Sequence, residues 1–282
     1  MIDLHLHSTF SDGSLTPEQL VEKGREVSLT AMALTDHDCT SGVPRFLAAC
    51  ERVGLHGISG VEISADIQKG TLHMLGYYVD GGNEGLKSML CQLRAGREER
   101  NREILKKLNE LGLALSWEEV VAYAAEDVVG RPHFARAMLA KGYVASRKDA
   151  FARFLGKGRP AYVDRFRLSA ADSIRAIAGA GGLAVLSHPL TLGLSRQALR
   201  DFVRELVGMG LDGIEVYYSE HSPEQTQEYR QLVEQFKLVA TGGSDFHGDL
   251  NPSVGIGYGF GSLRVPDETP GLLRARRAAK VL

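Results

Sequence analysis

Ile2-Asp3-Leu4-His5-Leu6-His7, running on into Ser8-Thr9-Phe10-Ser11-Asp12-Gly13, is the stretch from which the architecture unfolds. Ile2–Leu6 reads as a short apolar strand, along which His5 and His7 stand two apart, so both imidazoles point to one face and can grip one ion. Asp12 falls in the turn just past it. Moving outward, further short apolar runs predict strands at Thr30–Thr35, Gly57–Glu62, Thr71–Val79, Leu183–Ser187, Gly213–Tyr217 and Leu238–Thr241. They alternate with helical patterns, the signature of a parallel sheet with crossover helices, and seven strands predict a closed or nearly closed barrel. Helix starts are marked by Thr16-Pro17-Glu18-Gln19 and Ser222-Pro223-Glu224-Gln225, each with a capping residue followed by proline.

The alternation breaks between about Asn83 and Arg167, where the apolar spacing turns helical. Leu86–Leu111 reads as one long charged helix, Ser116-Trp117-Glu118-Glu119 as a capping box, and Pro132–Lys141 and Arg147–Leu155 as further helices. The organisation expected is therefore a barrel in two parts, residues 1–85 and 168–282, interrupted by a helical insertion or cap at 86–167. Ten Lys/Arg between Arg131 and Arg167 face only Asp149 and Asp164, a local +8 in a chain of net charge -2, and such an imbalance attracts anions.

With 282 residues, 44% hydrophobic and 24% charged, the composition argues against disorder and rod-like repeats. No run of about 18 apolar residues suggests a membrane span, and the first residues carry neither a basic nor an apolar leader pattern, so a cytoplasmic location is expected. Cys39, Cys50 and Cys91 form no CxxC pair and are read as small buried side chains in a reducing compartment.

Polar residues recur where the apolar runs end. Asp36 and His37 follow the second strand, Glu62 closes the third, His73 lies in the fourth, His188 follows the fifth, and Asp245 and His247 follow the last. In a parallel barrel the C-terminal strand ends share one face, so residues as distant as His5 and His247 converge there. So many imidazoles and carboxylates in one mouth need cations to offset the crowding. The nine candidate ligands, His5, His7, Asp12, His37, Glu62, His73, His188, Asp245 and His247, exceed what one ion needs and fit a cluster of two or three. Mixed imidazole and carboxylate donors suit manganese, iron or zinc.

These motifs, His5-Leu6-His7-Ser8, Thr35-Asp36-His37, Gly60-Val61-Glu62, His73-Met74-Leu75-Gly76-Tyr77, Ser187-His188-Pro189 and Gly243-Ser244-Asp245-Phe246-His247, resemble those of the polymerase-and-histidinol-phosphatase (PHP) metallophosphoesterases. The resemblance implies an α/β fold, a distorted seven-stranded TIM-like barrel, with manganese the favoured metal. It further implies one ion held by His5, His7, Glu62 and Asp245, a second by Glu62, His73 and His188, and a third by Asp12, His37 and His247. Gly130-Arg131-Pro132-His133 and Phe154–Val163 are similar to the cap of the subgroup acting on nucleoside 3′,5′-bisphosphates, whose relatives also trim RNA from the 5′ end. A second phosphate needs cations beyond the metal cluster, and Arg131, His133, Lys157 and Arg159 are the candidates for it.

The expected activity is metal-dependent hydrolysis of the 3′-phosphate ester by a metal-bound hydroxide, with Asp12, His37 or His247 as general acid where the third site holds no ion. The rivals are a 5′-3′ exoribonuclease acting on short RNA, a histidinol-phosphate-type phosphomonoesterase, an amide or amidine hydrolase, and a non-catalytic metal-stabilised binding module. The motifs around Glu62 and Asp245 match the phosphoesterase pattern better than the amidohydrolase one. No protein partner is indicated. Gly255–Gly261 carries no Walker lysine and reads as a flexible loop, His56 and His221 as satisfied or surface histidines, Trp117 as a packing anchor, and Arg274–Arg277 as a solvated helix end.

Overall fold

Each of the seven apolar runs becomes a strand, and the strands pair in sequence order to form one sheet that curls nearly into a barrel. The computed structural model describes residues 1–123 and 129–281. In chain order the elements are β1 (Ile2–Leu6), α1 (Pro17–Glu26), β2 (Ala31–Leu34), α2 (Val43–Val53), β3 (His56–Ala65), β4 (Leu72–Tyr77), α3 (Glu84–Glu110), α4 (Trp117–Val121), α5 (Arg131–Ala140) and α6 (Arg147–Ala150). A π-helical turn (Phe151–Leu155) leads to α7 (Ala170–Gly179), β5 (Leu183–Leu186), α8 (Arg196–Gly208), β6 (Gly213–Tyr218), α9 (Pro223–Phe236), β7 (Val239–Gly243) and α10 (Thr269–Val281). The capping boxes at Thr16, Ser116 and Ser222 all form. Among the described residues no helix is long and apolar enough to cross a membrane.

The barrel closes where β7 returns beside β1: the Asp245 N–H donates to the His5 carbonyl at 3.0 Å and the His7 N–H to the Phe246 carbonyl at 3.1 Å. Gly243 permits that approach, since a Cβ there would lie 2.3 Å from the His5 nitrogen.

One expectation fails in an instructive way. The sheet is not wholly parallel, because β4 runs antiparallel to both β3 and β5. Residues 66–71 between β3 and β4 are too few for a crossover helix, so the chain turns back as a hairpin. His73 therefore sits near the N-terminal end of β4, opposite Ser64, and the reversed strand brings that end to the same mouth as the C-terminal ends of the others.

The segment between β4 and β5 is helical, with α3 starting at Glu84. The first half of α3 packs Leu86, Leu90 and Leu93 into the barrel's apolar cluster, whereas Ile104 and Leu108 join a separate cluster with Val120, Phe134, Met138 and Leu155, against which Trp117 packs. Arg97, Arg100 and Asn101 are buried at the junction of the two, above the barrel mouth. The Gly255–Gly261 segment, read as flexible, folds as a tight turn whose Gly257 N–H donates to the buried Asp3 carboxylate at 2.7 Å. Arg276 is likewise not merely solvated, since it pairs with buried Asp212 at 3.0 Å. Of the cysteines, Cys91 is exposed, contrary to the expectation that all three are buried.

Candidate metal and phosphate site

The polar residues that end the strands gather around the carboxylate of Glu62, which is fully buried at the end of the mouth. One oxygen, Oε1, lies 2.9 Å from His73 Nδ1 and 2.9 Å from His188 Nε2. The other, Oε2, lies 2.9 Å from His37 Nδ1 and 3.3 Å from both His5 Nε2 and His7 Nε2. Asp245 Oδ1 stands 3.1 Å from His7 Nε2 and 3.4 Å from His5 Nε2, and Asp12 Oδ1 stands 3.2 Å from His247 Nε2. All nine sequence candidates thus meet in one place, and eight of them form three overlapping groups: His5, His7, Glu62 and Asp245; His37, Glu62 and His73; and His7, Asp12, His37 and His247. His188, expected beside Glu62 and His73, lies outside these groups and meets Glu62 Oε1 directly, while His37 takes its place in the second and His7 is added to the third.

The donors fit divalent cations. His5 Nε2, His7 Nε2, Asp12 Oδ1, His37 Nδ1, Glu62 Oε2 and His73 Nδ1 are buried and make no hydrogen bond among the described residues, although each lies within 3.3 Å of a neighbour in the group. Lone pairs aimed at a common point cost free energy until something positive fills it. Burial holds the His73 imidazole neutral, its pKa falling to about 4 despite Glu62 beside it, and the neutral ring is the form that binds metal. Burial pushes the Glu62 carboxyl up, but the imidazoles of His73, His37 and His5 bring it well below the usual carboxylate range.

A ring of supporting contacts aims these donors. The His5 Nδ1–H donates to Glu215 Oε1 at 2.8 Å, and Glu215 Oε2 accepts the His188 N–H at 2.7 Å. The β6–β7 register slips between Glu215 and Tyr217, a bulge of the kind that redirects side chains. Asp36 accepts from Ser8 and Ser11, tying down the turn that carries Asp12, and Tyr218 donates to Asp245 Oδ2 at 3.0 Å. Asp38, His188 and Asp245 are held at positive φ, half of the six such non-glycine residues described, and backbone strain of this sort concentrates where function over-determines geometry. Sequence reasoning gave Glu215 no role, yet a lone carboxylate inside Gly213-Ile214-Glu215-Val216-Tyr217 is the signal that could have found it.

Beside the ligand set opens a cavity of about 350 Å³ whose walls include Asp12, His37 and His73 on one side and Arg97, Arg100, Arg131, Lys157, Arg165 and Arg167 on the other. Arg131 is held by its Nη1 on the Leu155 carbonyl at 3.3 Å, with the Phe151 and Tyr162 rings 5.9 and 5.6 Å from its guanidinium. Lys157 donates to the Gln68 carbonyl at 2.8 Å. His133 and Arg159 are not walls of this cavity. His133 is buried and its Nδ1 accepts the Gly130 N–H at 2.9 Å, capping α5. Arg159 is exposed, on a turn that its own N–H closes onto the Gly156 carbonyl.

Four wall arginines went unassigned in the sequence: Arg97 and Arg100, lost in a helix that is charged throughout, and Arg165 and Arg167, counted only as part of the basic stretch. The buried Asp38 carboxylate accepts from Arg97 Nη2 at 2.5 Å and from Arg165 at 3.3 Å. Among the described residues Arg100 has no carboxylate partner; its Nε and Nη2 donate to the Asn101 side chain. Burial, then Arg97, Arg165, Arg131 and Arg167, drag its pKa down to about 8, a penalty that a bound dianion relieves.

Comparison with known proteins agrees with this geometry. The PHP domain family model matches residues 3–156. A 3′,5′-nucleoside bisphosphate phosphatase from Chromobacterium violaceum is 34% identical over 258 residues, 91% of this chain and 90% of that protein. The 5′-3′ exoribonuclease Rnm from Salmonella typhimurium is 34% identical over 247 residues, 87% of this chain and 84% of that one. Among solved structures, a protein from Bifidobacterium adolescentis assigned as a metal-dependent phosphoesterase superposes with a TM-score of 0.86 at 33% identity, covering 98% of this chain and 96% of its own.

Proposed function

This chain belongs to the PHP-domain family, and from that premise we propose that it removes the 3′-phosphate of nucleoside 3′,5′-bisphosphates, yielding a nucleoside 5′-monophosphate and inorganic phosphate. The observation that carries this reading is that the Glu62-centred donors and the arginine cavity share Asp12, His37 and His73. Two anion sites side by side suit a substrate with two phosphates on one ribose, and the Chromobacterium violaceum relative is a phosphatase of that class.

The reading takes two or three divalent cations, manganese first, with His5, His7, Glu62 and Asp245 holding one, Glu62, His73 and His188 a second, and Asp12, His37 and His247 a third. What such ions supply is water acidified enough to attack at neutral pH and countercharge for the phosphoryl oxygens. The rest falls to the protein. The 5′-phosphate docks among Arg131, Arg100 and Lys157, where planar guanidiniums grip phosphate oxygens two at a time. Docking fixes the ribose and so carries the 3′-ester toward Glu62. Where that third site holds no ion, the departing O3′ takes its proton from the Asp12, His37 and His247 group, in which His247 Nε2 and His37 Nε2 flank the Asp12 carboxylate at 3.2 and 3.9 Å. The helical segment, taken as residues 86–167 between barrel parts 1–85 and 168–282, acts as the cap that closes the phosphate cavity. A nucleotide substrate and free cysteines suit a cytoplasmic site of action.

The test is to incubate manganese-loaded protein with adenosine 3′,5′-bisphosphate, 3′-AMP and 5′-AMP and to follow phosphate and nucleotide products. Release of 5′-AMP from the bisphosphate, with 3′-AMP turned over far more slowly, is the expected result. Equal rates on 3′-AMP and the bisphosphate refute the role of the arginine cavity.

A further inference from the structure

Glu215 lies beneath the donors on β6, and no step of the reaction above uses it. Ile214 and Val216 on either side join the apolar cluster under the helices, so strand alternation turns Glu215 toward the barrel axis, where it is fully buried. Among the described residues no lysine or arginine pairs with it, and its one ion-pair partner is His5. A carboxylate taken out of water without a cation is costly, and its two oxygens show what it holds instead. Oε1 accepts the His5 Nδ1–H at 2.8 Å, and Oε2 accepts the His188 backbone N–H at 2.7 Å. The Ser187 hydroxyl lies 3.3 Å from Oε2 and 3.1 Å from Glu62 Oε1, between the two buried carboxylates.

We propose that Glu215 is a positioning residue for two ions at once: one oxygen fixes the proton of His5, and with it the nitrogen offered to the first ion, while the other fixes the backbone that aims His188 at the second. The proposal rests on the ligand assignment made above, in which His5 belongs to one ion and His188 to the next. A neutral imidazole carries a proton on one nitrogen and a lone pair on the other. With Nδ1–H committed to Glu215, the lone pair is on Nε2, which lies 3.3 Å from Glu62 Oε2 and 3.4 Å from Asp245 Oδ1. The outward nitrogens of His7, His188 and His247 rest on Ser11, Thr191 and the Asp245 carbonyl, so among the described residues only His5 hydrogen-bonds a carboxylate that is not itself a candidate ligand. The His188 arm differs in kind. Its donor is a backbone held at φ +21°, and the bond to Oε2 secures that conformation while the ring's Nε2 reaches Glu62 Oε1 at 2.9 Å.

The two arms answer differently to one substitution. Glutamine keeps the shape of Glu215 but has one acceptor oxygen and one NH2 group. The His188 N–H can only donate, so it claims the oxygen. His5 then faces the NH2 group, and because imidazole can carry its proton on either nitrogen, it accepts through Nδ1 and moves the proton to Nε2, where the first ion needs a lone pair. Glu215→Gln should therefore injure one ion site, whereas Glu215→Ala, which leaves neither donor a partner, should injure both.

The experiment titrates the chelator-stripped full chain with Mn²⁺ by equilibrium dialysis, for wild type, Glu215→Gln and Glu215→Ala, and follows thermal unfolding of each with Mn²⁺ and with EDTA. In Glu215→Gln one Mn²⁺ should bind about tenfold more weakly and the rest as in wild type; in Glu215→Ala two should weaken by about that factor. The rise in Tm that Mn²⁺ produces should shrink in the same order, a change that a purely structural defect, lowering Tm equally with and without the ion, does not make. Raising Mn²⁺ should also restore turnover of adenosine 3′,5′-bisphosphate by Glu215→Gln. An unchanged titration in Glu215→Gln, or an alanine variant that weakens no more sites than the glutamine one, overturns the proposal. Should the alanine variant not fold, the glutamine variant decides alone: one weakened site supports the proposal, and none or two overturns it. If wild type binds no Mn²⁺, the ligand assignment fails and the proposal falls with it. If wild type binds Mn²⁺ but leaves the bisphosphate uncut, the substrate reading fails and the titration still decides on Glu215.

Discussion

Asp38→Asn is the change whose consequence the structure fixes most tightly. The Asp38 carboxylate is fully buried and accepts from Arg97 Nη2 at 2.5 Å, Arg165 at 3.3 Å, the Ser64 N–H at 2.9 Å and the Ser64 hydroxyl at 3.2 Å. Burial alone would raise its pKa, but the two guanidiniums hold it well below the usual carboxylate range, so it is charged at neutral pH. The amide can keep much of the shape but not the charge, and two buried guanidiniums then face Arg100, Arg131 and Arg167 without a counterion. Breaking a buried pair from one side costs about 3–5 kcal/mol, which for a chain of this size is a fall in Tm of roughly 10 °C. The same substitution makes the cavity more positive, so inorganic phosphate should bind the variant about tenfold more tightly, one unit of charge at an effective dielectric near 20 being worth on the order of 1–2 kcal/mol over such a range. Thermal scans with and without 10 mM phosphate read both effects, and phosphate should raise the variant's Tm more than that of wild type. Pairing Asp38→Asn with Arg97→Leu should recover part of the loss. A fall in Tm below about 2 °C, or equal stabilisation of both proteins by phosphate, would show that Asp38 does not neutralise these arginines.

Arg131→Ala should lower kcat/KM on adenosine 3′,5′-bisphosphate by roughly 100-fold while changing turnover of p-nitrophenyl phosphate less than threefold; equal losses would remove Arg131 from phosphate binding. Glu62→Gln, at the residue shared by two of the three donor groups, should cost the protein at least one bound manganese per chain by elemental analysis, and retention of the wild-type content would contradict the ligand assignment. Arg45 grips Glu18 through Nε at 2.8 Å and Nη2 at 2.9 Å, which lowers the Glu18 pKa to about 2. A depressed carboxyl stabilises above its ordinary pKa near 4.5 and stops doing so as pH falls toward 2; Glu18→Gln should cost about 1 kcal/mol at pH 7 after allowance for solvent, and the difference from wild type in urea unfolding should begin to shrink below pH 4.5. Burial pushes the Cys50 thiol up to about 12, so at pH 8 iodoacetamide should label exposed Cys91 and leave Cys50 unmodified in the native protein, as read by peptide mass spectrometry.

What the amino-acid sequence revealed follows from which forces act locally. The seven strands were legible because each is an apolar run, and the convergence of the candidate ligands because each interrupts or ends such a run with an imidazole or carboxylate. The direction of β4 was not legible from periodicity, which is the same for a strand read either way; the short link at residues 66–71 held that information. Glu215 escaped notice because it is one carboxylate in an apolar strand and its partner His5 is 210 positions away.

The arginines were hidden for a different reason. A helix that is charged on every face gives no sign of which charges will be buried, and α3 buries Arg97 and Arg100 only because its two halves join two separate apolar clusters. That placement makes sense only together with Asp38, which follows His37 directly and bonds back to Ser64 on β3. One carboxylate thus fastens Arg97 and Arg165, walls of the proposed phosphate cavity, to the strand ends that carry His37 and Glu62. A phosphate-binding insertion free to drift by even an ångström would misplace the ester over the donors. The buried ion pair therefore acts less as a source of stability, which such pairs seldom are, than as the part that sets the distance between the arginine cavity and the Glu62-centred donors.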